Sequence, residues 1–334
     1  MKYDVIFSAD DYGPIPAINN GIIEAVNADC INSVEVFVNH NNFKESIDNL
    51  LHTCQDKTFE LGCHLTITSG KPITGLKSLF VRNNLIFRNK NGYFREYTDL
   101  RRTIGKNNRK EQVKRLKDEL HAQIDQFEKD GLKDKLTHLS CHHNALFFFD
   151  DYLDAYFEVA KDHDLAVRTP HGRPFSRHKN YVKYVELMSR TNLSAADRLK
   201  LITFAKSIPK LVDKTNNPPP PQRPVYHINT NYGPVSILKL DEDDIEEKAE
   251  DKNHDLVKEL KKYKDMGIIE YVFHLITDDY NKLEVFKKQT EFSSCNYTGI
   301  DNAYFDSRMA EMRSLIKYKN VINAMINKES WNKL

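Results

Sequence analysis

The sequence predicts an α/β fold built on a parallel β-sheet. Short apolar segments of strand length alternate along the chain with longer segments in which apolar residues recur every three or four positions. Residues 5–9 form a largely apolar run, which is typical of a parallel strand buried on both faces. Alternating strands and helices indicate βαβ units, in which each crossover helix covers one face of the sheet.

The bulk composition is that of a globular protein and gives no sign of nucleic-acid or membrane binding. The 334 residues are 40% hydrophobic and 29% charged, and 49 Lys+Arg against 48 Asp+Glu give a formal net charge of +1. A nucleic-acid-binding face would need a basic excess. No apolar run approaches the ~18 residues of a membrane helix. A strand at the N-terminus leaves no room for a signal peptide, so we expect a cytoplasmic protein.

The five cysteines are expected to be reduced thiols. Their number is odd, and no two of them form a CxxC pair; they are Cys30, Cys54, Cys63, Cys141 and Cys295. This usage is typical of a cytosolic protein and not of a disulfide framework.

Three strands and three helices are predicted in the first 131 residues. The strands lie at residues 5–9, 34–38 and 59–65. Two helices separate them, at residues 15–27 and 42–52. The clearest helix covers residues 109–130 and ends at Gly131, because its apolar residues form one stripe: Val113, Leu116, Leu120, Ile124 and Phe127.

The rest of the chain continues the alternation with one interruption. Strands are predicted at residues 136–143, 165–168, 225–228 and 268–274, and helices around residues 153–160, 256–260 and 306–326. Between residues 176 and 224, two helical patterns lead to four prolines at 218–221, an extended spacer. We predict one barrel domain over residues 1–334, a length that such barrels reach. The insertion at 176–224 is expected to be a lid or a subunit contact, the latter in a homodimer.

Polar side chains stand where four predicted strands end. Asp10 and Asp11 follow the first strand, His64 ends the third, and His142 and His274 end two later ones. In parallel barrels, residues at the C-terminal ends of the strands form the site. One aspartate and two histidines from different strands are a usual ligand set for a catalytic divalent metal ion, with positions left open for water and substrate.

Each of these residues also has a structural explanation. A helix cap beside a solvated aspartate would explain the two carboxylates, and a single histidine is more often hydrogen-bonded or exposed than a metal ligand. Cys63 and Cys141 each precede a candidate histidine, and adjacent side chains of a strand face opposite ways. The thiols are therefore expected to pack against helices, with the histidines in the site. His138 is expected to face the barrel without touching a metal.

Three blocks of sequence resemble one family. Residues 8–13, Ser-Ala-Asp-Asp-Tyr-Gly, resemble the Ala-Asp-Asp-Phe-Gly signature of the YdjC-like (ChbG) carbohydrate deacetylases. Residues 62–72 are similar to their Gly-x-His-Leu…Thr-x-Gly-x-Pro segment, and residues 137–143 to their Thr-His-x-Asp-Ser-His-x-His. Arg308 and Glu311 resemble an Arg-x-x-Glu-Leu near the end. The chain departs from the family at Ser140 for Asp, Asn144 for His and Leu275 for Pro.

The resemblance implies an irregular (β/α) TIM-like barrel of the glycoside hydrolase and deacetylase type. It implies metal-dependent removal of an acetyl group from an N-acetylated amino sugar or oligosaccharide, as in chitooligosaccharide deacetylation. One divalent metal ion, Mg²⁺ or Zn²⁺, would polarise the carbonyl and acidify water. The resemblance then implies that the metal is bound by Asp11, His64 and His142. Asp10 is expected to be the general base and His274 the general acid. Asn39 and Arg168 are expected to contact the sugar or to make structural hydrogen bonds.

Two other functions remain open at the sequence level. A glycosidase would use Asp10 and a second carboxylate without a metal, but it leaves the two strand-end histidines unexplained. A non-catalytic sugar-binding protein on the same fold is allowed by the insertion and by Ser140. The complete Asp and His set argues against it.

Overall fold

The computed structural model describes residues 2–75, 80–81, 84–85, 92–94, 109–147, 150–168, 226–229, 242–262, 268–277 and 302–331. Its strands are β1 (Tyr3–Tyr12), β2 (Ser33–Val36), β3 (Glu60–Leu65), β4 (Phe80–Val81), β5 (Asn84–Leu85), β6 (Leu136–Cys141), β7 (Ala166–Val167), β8 (Tyr226–Asn229), β9 (Ile269–Phe273) and β10 (Ile326–Lys328). Its helices are α1 (Pro16–Asn27), α2 (Phe43–Thr53), α3 (Arg109–Lys129), α4 (Asp150–Asp162), α5 (Glu242–Lys262) and α6 (Asn302–Met325). Short 3₁₀ segments at Lys133–Lys135 and His142–Phe147 flank β6.

A parallel sheet forms the centre of the fold. Its strands follow the order β7-β6-β3-β2-β1-β9-β8, and β10 pairs with the start of β1. Along β1, Val5, Phe7 and Ala9 pack in the large apolar core. Ser8 and Asp10, on the opposite face, bond to other polar side chains. The sheet thus has an apolar face and a polar face, and β4 and β5 form a separate antiparallel pair.

The sheet is strongly curled. In sheet order β7 lies four strands from β1, which in a flat sheet would separate them by about 19 Å. Arg168, directly after β7, nevertheless donates hydrogen bonds of 2.8 and 2.9 Å to Asp10 on β1. The sheet therefore curls into a half-barrel with the polar face inside, and the predicted barrel-like α/β class is confirmed.

The predicted strands and helices are confirmed where the structure describes them, with bounds that shift by a few residues, except that the helix predicted around residues 256–260 begins much earlier, at Glu242. β4, β5 and β10 were not predicted, because two or three residues are too few to show a strand pattern, and β10 also directly continues a helix. The predicted insertion at residues 176–224 and Cys295 lie outside the described residues. The other four cysteines are buried free thiols. In the described part of the chain, no helix is long and apolar enough to cross a membrane.

Helix α1 fixes the segment that follows β9. A Cβ placed on Gly21 would lie 2.6 Å from the carbonyl carbon of Ile276, so only glycine allows the helix to approach that backbone so closely. The Thr277 amide also donates to the Ala17 carbonyl at 3.0 Å. The segment that carries His274 is therefore held against α1 by main-chain contacts.

Candidate metal centre

The backbone of β1 breaks its regular alternation at two adjacent carboxylates. Asp11 has a φ of 75°, in the left-handed region, and the pairing of β1 with β2 shifts register between Ala9 and Tyr12. Adjacent side chains of a regular strand face opposite ways. Because of this irregularity, the side chains of Asp10 and Asp11 both face the same site. A left-handed backbone conformation costs of order 1–3 kcal/mol at a non-glycine residue, and such conformations cluster at functional sites.

The structure brings Asp11, His64 and His142 together at the C-terminal ends of β1, β3 and β6. Asp11 Oδ1 lies 3.4 Å from His64 Nε2 and 3.0 Å from His142 Nδ1. One candidate ligand atom from each of the three residues can be chosen so that all lie within 4.8 Å of one another. A carboxylate and two imidazoles at this spacing match the donor set of a catalytic divalent metal site.

Two atoms of this cluster show whether the site suits a cation, because their hydrogen-bonding capacity is unsatisfied. Asp11 Oδ1 and His64 Nε2 are both buried, and neither has a well-aligned hydrogen-bond partner within the described ranges. Buried polar atoms in folded proteins are nearly always satisfied, and an unsatisfied one costs about 1–3 kcal/mol. A divalent cation would satisfy both atoms at once, so the residues present fit the predicted metal.

Burial and neighbouring charges shift the pKa values in the cluster. Burial alone would raise the pKa of Asp11, but His142 and His64 lower it well below its usual value. Burial lowers the pKa of His142. Burial acts in the same direction on His64, yet the carboxylates of Asp10 and Asp11 outweigh it and raise its pKa. The cluster therefore places an anionic carboxylate beside imidazoles in a buried site, which favours a cation.

Aromatic packing and a strained turn hold the two imidazoles. The Phe37 ring lies edge-on to both, with centroids 4.9 Å from His64 and 4.8 Å from His142. After His142 the backbone turns sharply, because His143 and Asn144 have positive φ values of 56° and 53°. This turn ends β6 at the site and leaves His142 at the mouth of the barrel.

Arg168 lies behind the cluster as the centre of a buried ion network. It is 1% exposed and donates to both oxygens of Asp10, at 2.8 and 2.9 Å, and to Glu270 at 2.6–2.9 Å. Burial alone would lower the pKa of Arg168, but the carboxylates around it raise it. These contacts favour the structural alternative for Arg168: the guanidinium positions Asp10.

Asn39 lies at the edge of the site after β2. Its Nδ2 donates to the carbonyls of Ser69 and Lys71 at 2.7 and 3.2 Å, which holds the loop after β3. Its Oδ1 is buried and accepts no hydrogen bond from any residue that the structure describes. That oxygen is free to accept from a ligand hydroxyl, so sugar contact by Asn39 stays a prediction.

His274 approaches the cluster from the far wall, at the end of β9. Its Nε2 lies 4.0 Å from Asp11 Oδ2, and its Nδ1 is buried with no partner in the described part of the chain. Burial and then the Arg308 charge lower its pKa well below the usual value. Arg308 Nη2 also lies 3.4 Å from Asp11 Oδ2, and Glu311 accepts from the His274 amide at 3.1 Å.

Two glutamates of the barrel interior were missed as site residues. Glu35 and Glu270 are fully buried, and Glu270 binds Arg168 and accepts from Ser8 at 2.7 Å. The sequence carried a signal for both, because each is a single charge inside an otherwise apolar strand. Such a charge must be paired once the strand is buried.

Comparison with known proteins identifies relatives of the chain. The family model described as YdjC-like protein matches residues 4–316. A carbohydrate deacetylase of Vibrio parahaemolyticus serotype O3:K6 is 30% identical over 164 residues, which is 49% of this chain and 58% of the relative. A carbohydrate deacetylase of Oceanobacillus iheyensis is 27% identical over 164 residues, which is 49% of this chain and 64% of the relative. The matched stretch thus spans less than two thirds of either relative.

One solved structure resembles the whole chain. It is a candidate cellobiose-phosphate cleavage protein of Enterococcus faecalis V583, with a TM-score of 0.60 and 18% sequence identity. The match covers 100% of this chain and 99% of that chain. At this identity the likeness concerns the fold alone.

Proposed function

Because the chain belongs to the YdjC-like protein family, we propose that it is a metal-dependent carbohydrate deacetylase that hydrolyses the acetamide of an N-acetylated amino sugar or oligosaccharide. The observation that carries the proposal is the buried cluster of Asp11, His64 and His142, with Asp10 beside it. Relatives named carbohydrate deacetylase support the same reaction.

The cluster matches what amide hydrolysis needs. A divalent ion held by Asp11, His64 and His142, with Zn²⁺ and Mg²⁺ as candidates, would polarise the acetyl carbonyl and lower the pKa of a water molecule. Asp10 accepts the proton of the attacking water, and the guanidinium of Arg168 holds its carboxylate in place. His274 faces the site from the opposite wall and delivers a proton to the departing nitrogen. Asn39 Oδ1 accepts from a sugar hydroxyl.

The function is tested with the purified protein and a chitooligosaccharide. We expect equal release of acetate and of primary amine, loss of both after treatment with a chelator, and recovery on addition of Zn²⁺ or Mg²⁺. His64→Ala and His142→Ala should lose bound metal, as measured by elemental analysis, together with activity. His52→Ala, an exposed histidine on α2, is the matched control and should retain both.

The outcomes separate the alternatives. Release of reducing ends without acetate, unaffected by the chelator, would indicate a glycosidase. Sugar binding without any product would indicate a non-catalytic protein. Full metal occupancy in both histidine variants would show that His64 and His142 are not metal ligands.

A further inference from the structure

A chain of hydrogen bonds runs from the candidate metal ligand His64 into the barrel. His64 Nδ1 lies 2.7 Å from Ser140 Oγ, which stands directly across from it in the β3–β6 register. The Ser140 hydroxyl in turn donates to Glu35 Oε2. All three residues are essentially inaccessible to solvent. The side chains therefore form one buried path that ends on a carboxylate.

The direction of each hydrogen bond follows from proton count. A serine hydroxyl has one proton, and a carboxylate can only accept. Since Ser140 donates to Glu35, its oxygen must accept from His64 Nδ1–H. The neutral imidazole then carries its lone pair on Nε2, the atom that faces Asp11.

Glu35 is held so that one oxygen is available for Ser140. Its other oxygen, Oε1, lies 2.6 Å from His138 Nε2 and accepts from Ser33 Oγ at 3.0 Å. Burial alone would raise the pKa of Glu35, but His138 and Arg168 lower it below the usual value. Gly62 makes room for this arrangement, because a Cβ there would collide with both Glu35 Oε2 and His138 Nε2.

We propose that Glu35 is a positioning residue for the metal site, which acts through Ser140 to fix the tautomer and orientation of His64. The inference rests on the proposed metal site and adds a role that the sequence did not suggest. Outer partners of metal-bound histidines commonly contribute about 10- to 100-fold in metal affinity. Here the carboxylate lies on a different strand from the hydroxyl that contacts the imidazole, so both residues are required.

The test measures the Kd of Zn²⁺ alone by titration calorimetry. Ser140→Ala should weaken Zn²⁺ binding by about 10- to 100-fold, and Ser140→Thr, which keeps the hydroxyl, should restore it. Ser33→Ala is the matched control, because it also removes a buried hydrogen bond to Glu35 but does not touch His64. It should lower the unfolding midpoint and leave the Kd unchanged.

A double variant tests whether the two residues act as one path. Glu35→Gln should weaken Zn²⁺ binding, and adding it to Ser140→Ala should cause no further loss, because both changes cut the same chain. Equal Kd shifts for Ser33→Ala and Ser140→Ala, additive losses, or a wild type that binds no Zn²⁺ would overturn the inference. Normal Zn²⁺ dependence without acetate release would overturn the proposed function and leave the role of Glu35 standing.

Discussion

Asp10 and Asp11 are neighbours in sequence with different surroundings. Asp11 faces two imidazoles, whereas both oxygens of Asp10 accept from Arg168. We therefore expect Asp10→Asn to retain the metal while turnover falls by about 10²–10⁴-fold, the usual contribution of a general base. Asp11→Asn is the matched control and should lose the metal. Elemental analysis and turnover on an N-acetyl oligosaccharide measure the two effects, and the reverse pattern would exchange the roles.

The Asp10 change should also lower stability, since an asparagine leaves part of the buried Arg168 charge unpaired. Breaking a buried ion pair costs about 3–5 kcal/mol; Glu270 remains to bind the guanidinium and limits the loss. Turnover is therefore measured well below the unfolding temperature of the variant.

His274 is expected to serve the leaving group. In the free protein its lowered pKa favours the neutral imidazole, so the proton that it delivers to the nitrogen is the one that Asp10 has taken from the attacking water and passed on. His274→Ala should greatly reduce hydrolysis of an N-acetyl sugar, because a departing amine needs that proton. Hydrolysis of an activated acetate ester should fall far less, with the metal still bound. Equal losses on both substrates would instead indicate that His274 orients the substrate.

The residues at the strand ends could be predicted individually, but their supporting partners could not. Asp11, His64 and His142 stand out because polar residues that follow apolar strands meet at one end of a parallel barrel. The links Ser140–Glu35 and Arg168–Glu270 join strands far apart in sequence. These contacts depend on which strands face each other across the barrel. The positions of the strands along the sequence do not give that arrangement.

At the scale of elements, β2 and β3 fit together because of one glycine. Gly62 pairs with Glu35 across the two strands, and a side chain there would meet the Glu35 carboxylate and the His138 ring. We expect Gly62→Ala to cost about 1–3 kcal/mol by overpacking and to weaken Zn²⁺ binding by moving Glu35 away from Ser140. Denaturant unfolding and calorimetry measure the two effects.

Gly131→Ala is the matched control for this change. Gly131 has a φ of 72° and open space around its Cα, so an alanine there strains the backbone without touching the barrel interior. It should lower stability and leave Zn²⁺ affinity unchanged. A Gly62→Ala protein with normal Zn²⁺ affinity would contradict the proposed role of the glycine.

The helices and central strands were predictable because each is long enough to show its period. Helix α3 displays its apolar stripe over its full length, and β1 is a nearly continuous apolar run. β10 has only Ile326–Lys328, and its place beside β1 is set by the preceding helix and by main-chain bonds such as Glu329 N to Val5 O at 2.9 Å. Tertiary contacts make this segment a strand, and its local sequence does not predict one.

For the whole molecule, the C-terminal segment closes the end of the barrel opposite the metal centre. Trp331 is the only tryptophan of the chain and is 1% exposed. It packs with Ile6 and Ala166 inside the barrel and stacks on His138 with ring centroids 4.3 Å apart. Glu60 fixes its backbone through the Trp331 amide at 2.8 Å. The indole thus lies next to the His138–Glu35 contact. It packs the C-terminal segment against Ile6 of the first strand, inside the barrel.

We therefore expect Trp331→Ala to destabilise the entire fold and not only its terminus. Removal of a buried aromatic side chain costs about 3–5 kcal/mol, and Trp331→Phe should lose less because a ring can still stack on His138. Urea unfolding followed by circular dichroism gives the free energies of both variants. In the wild type, the fluorescence of the single indole should change together with the circular dichroism, because the C-terminal segment and the barrel unfold as one unit. A cost below about 1 kcal/mol, or loss of fluorescence well before the circular dichroism signal, would show that the C-terminal segment detaches without affecting the barrel.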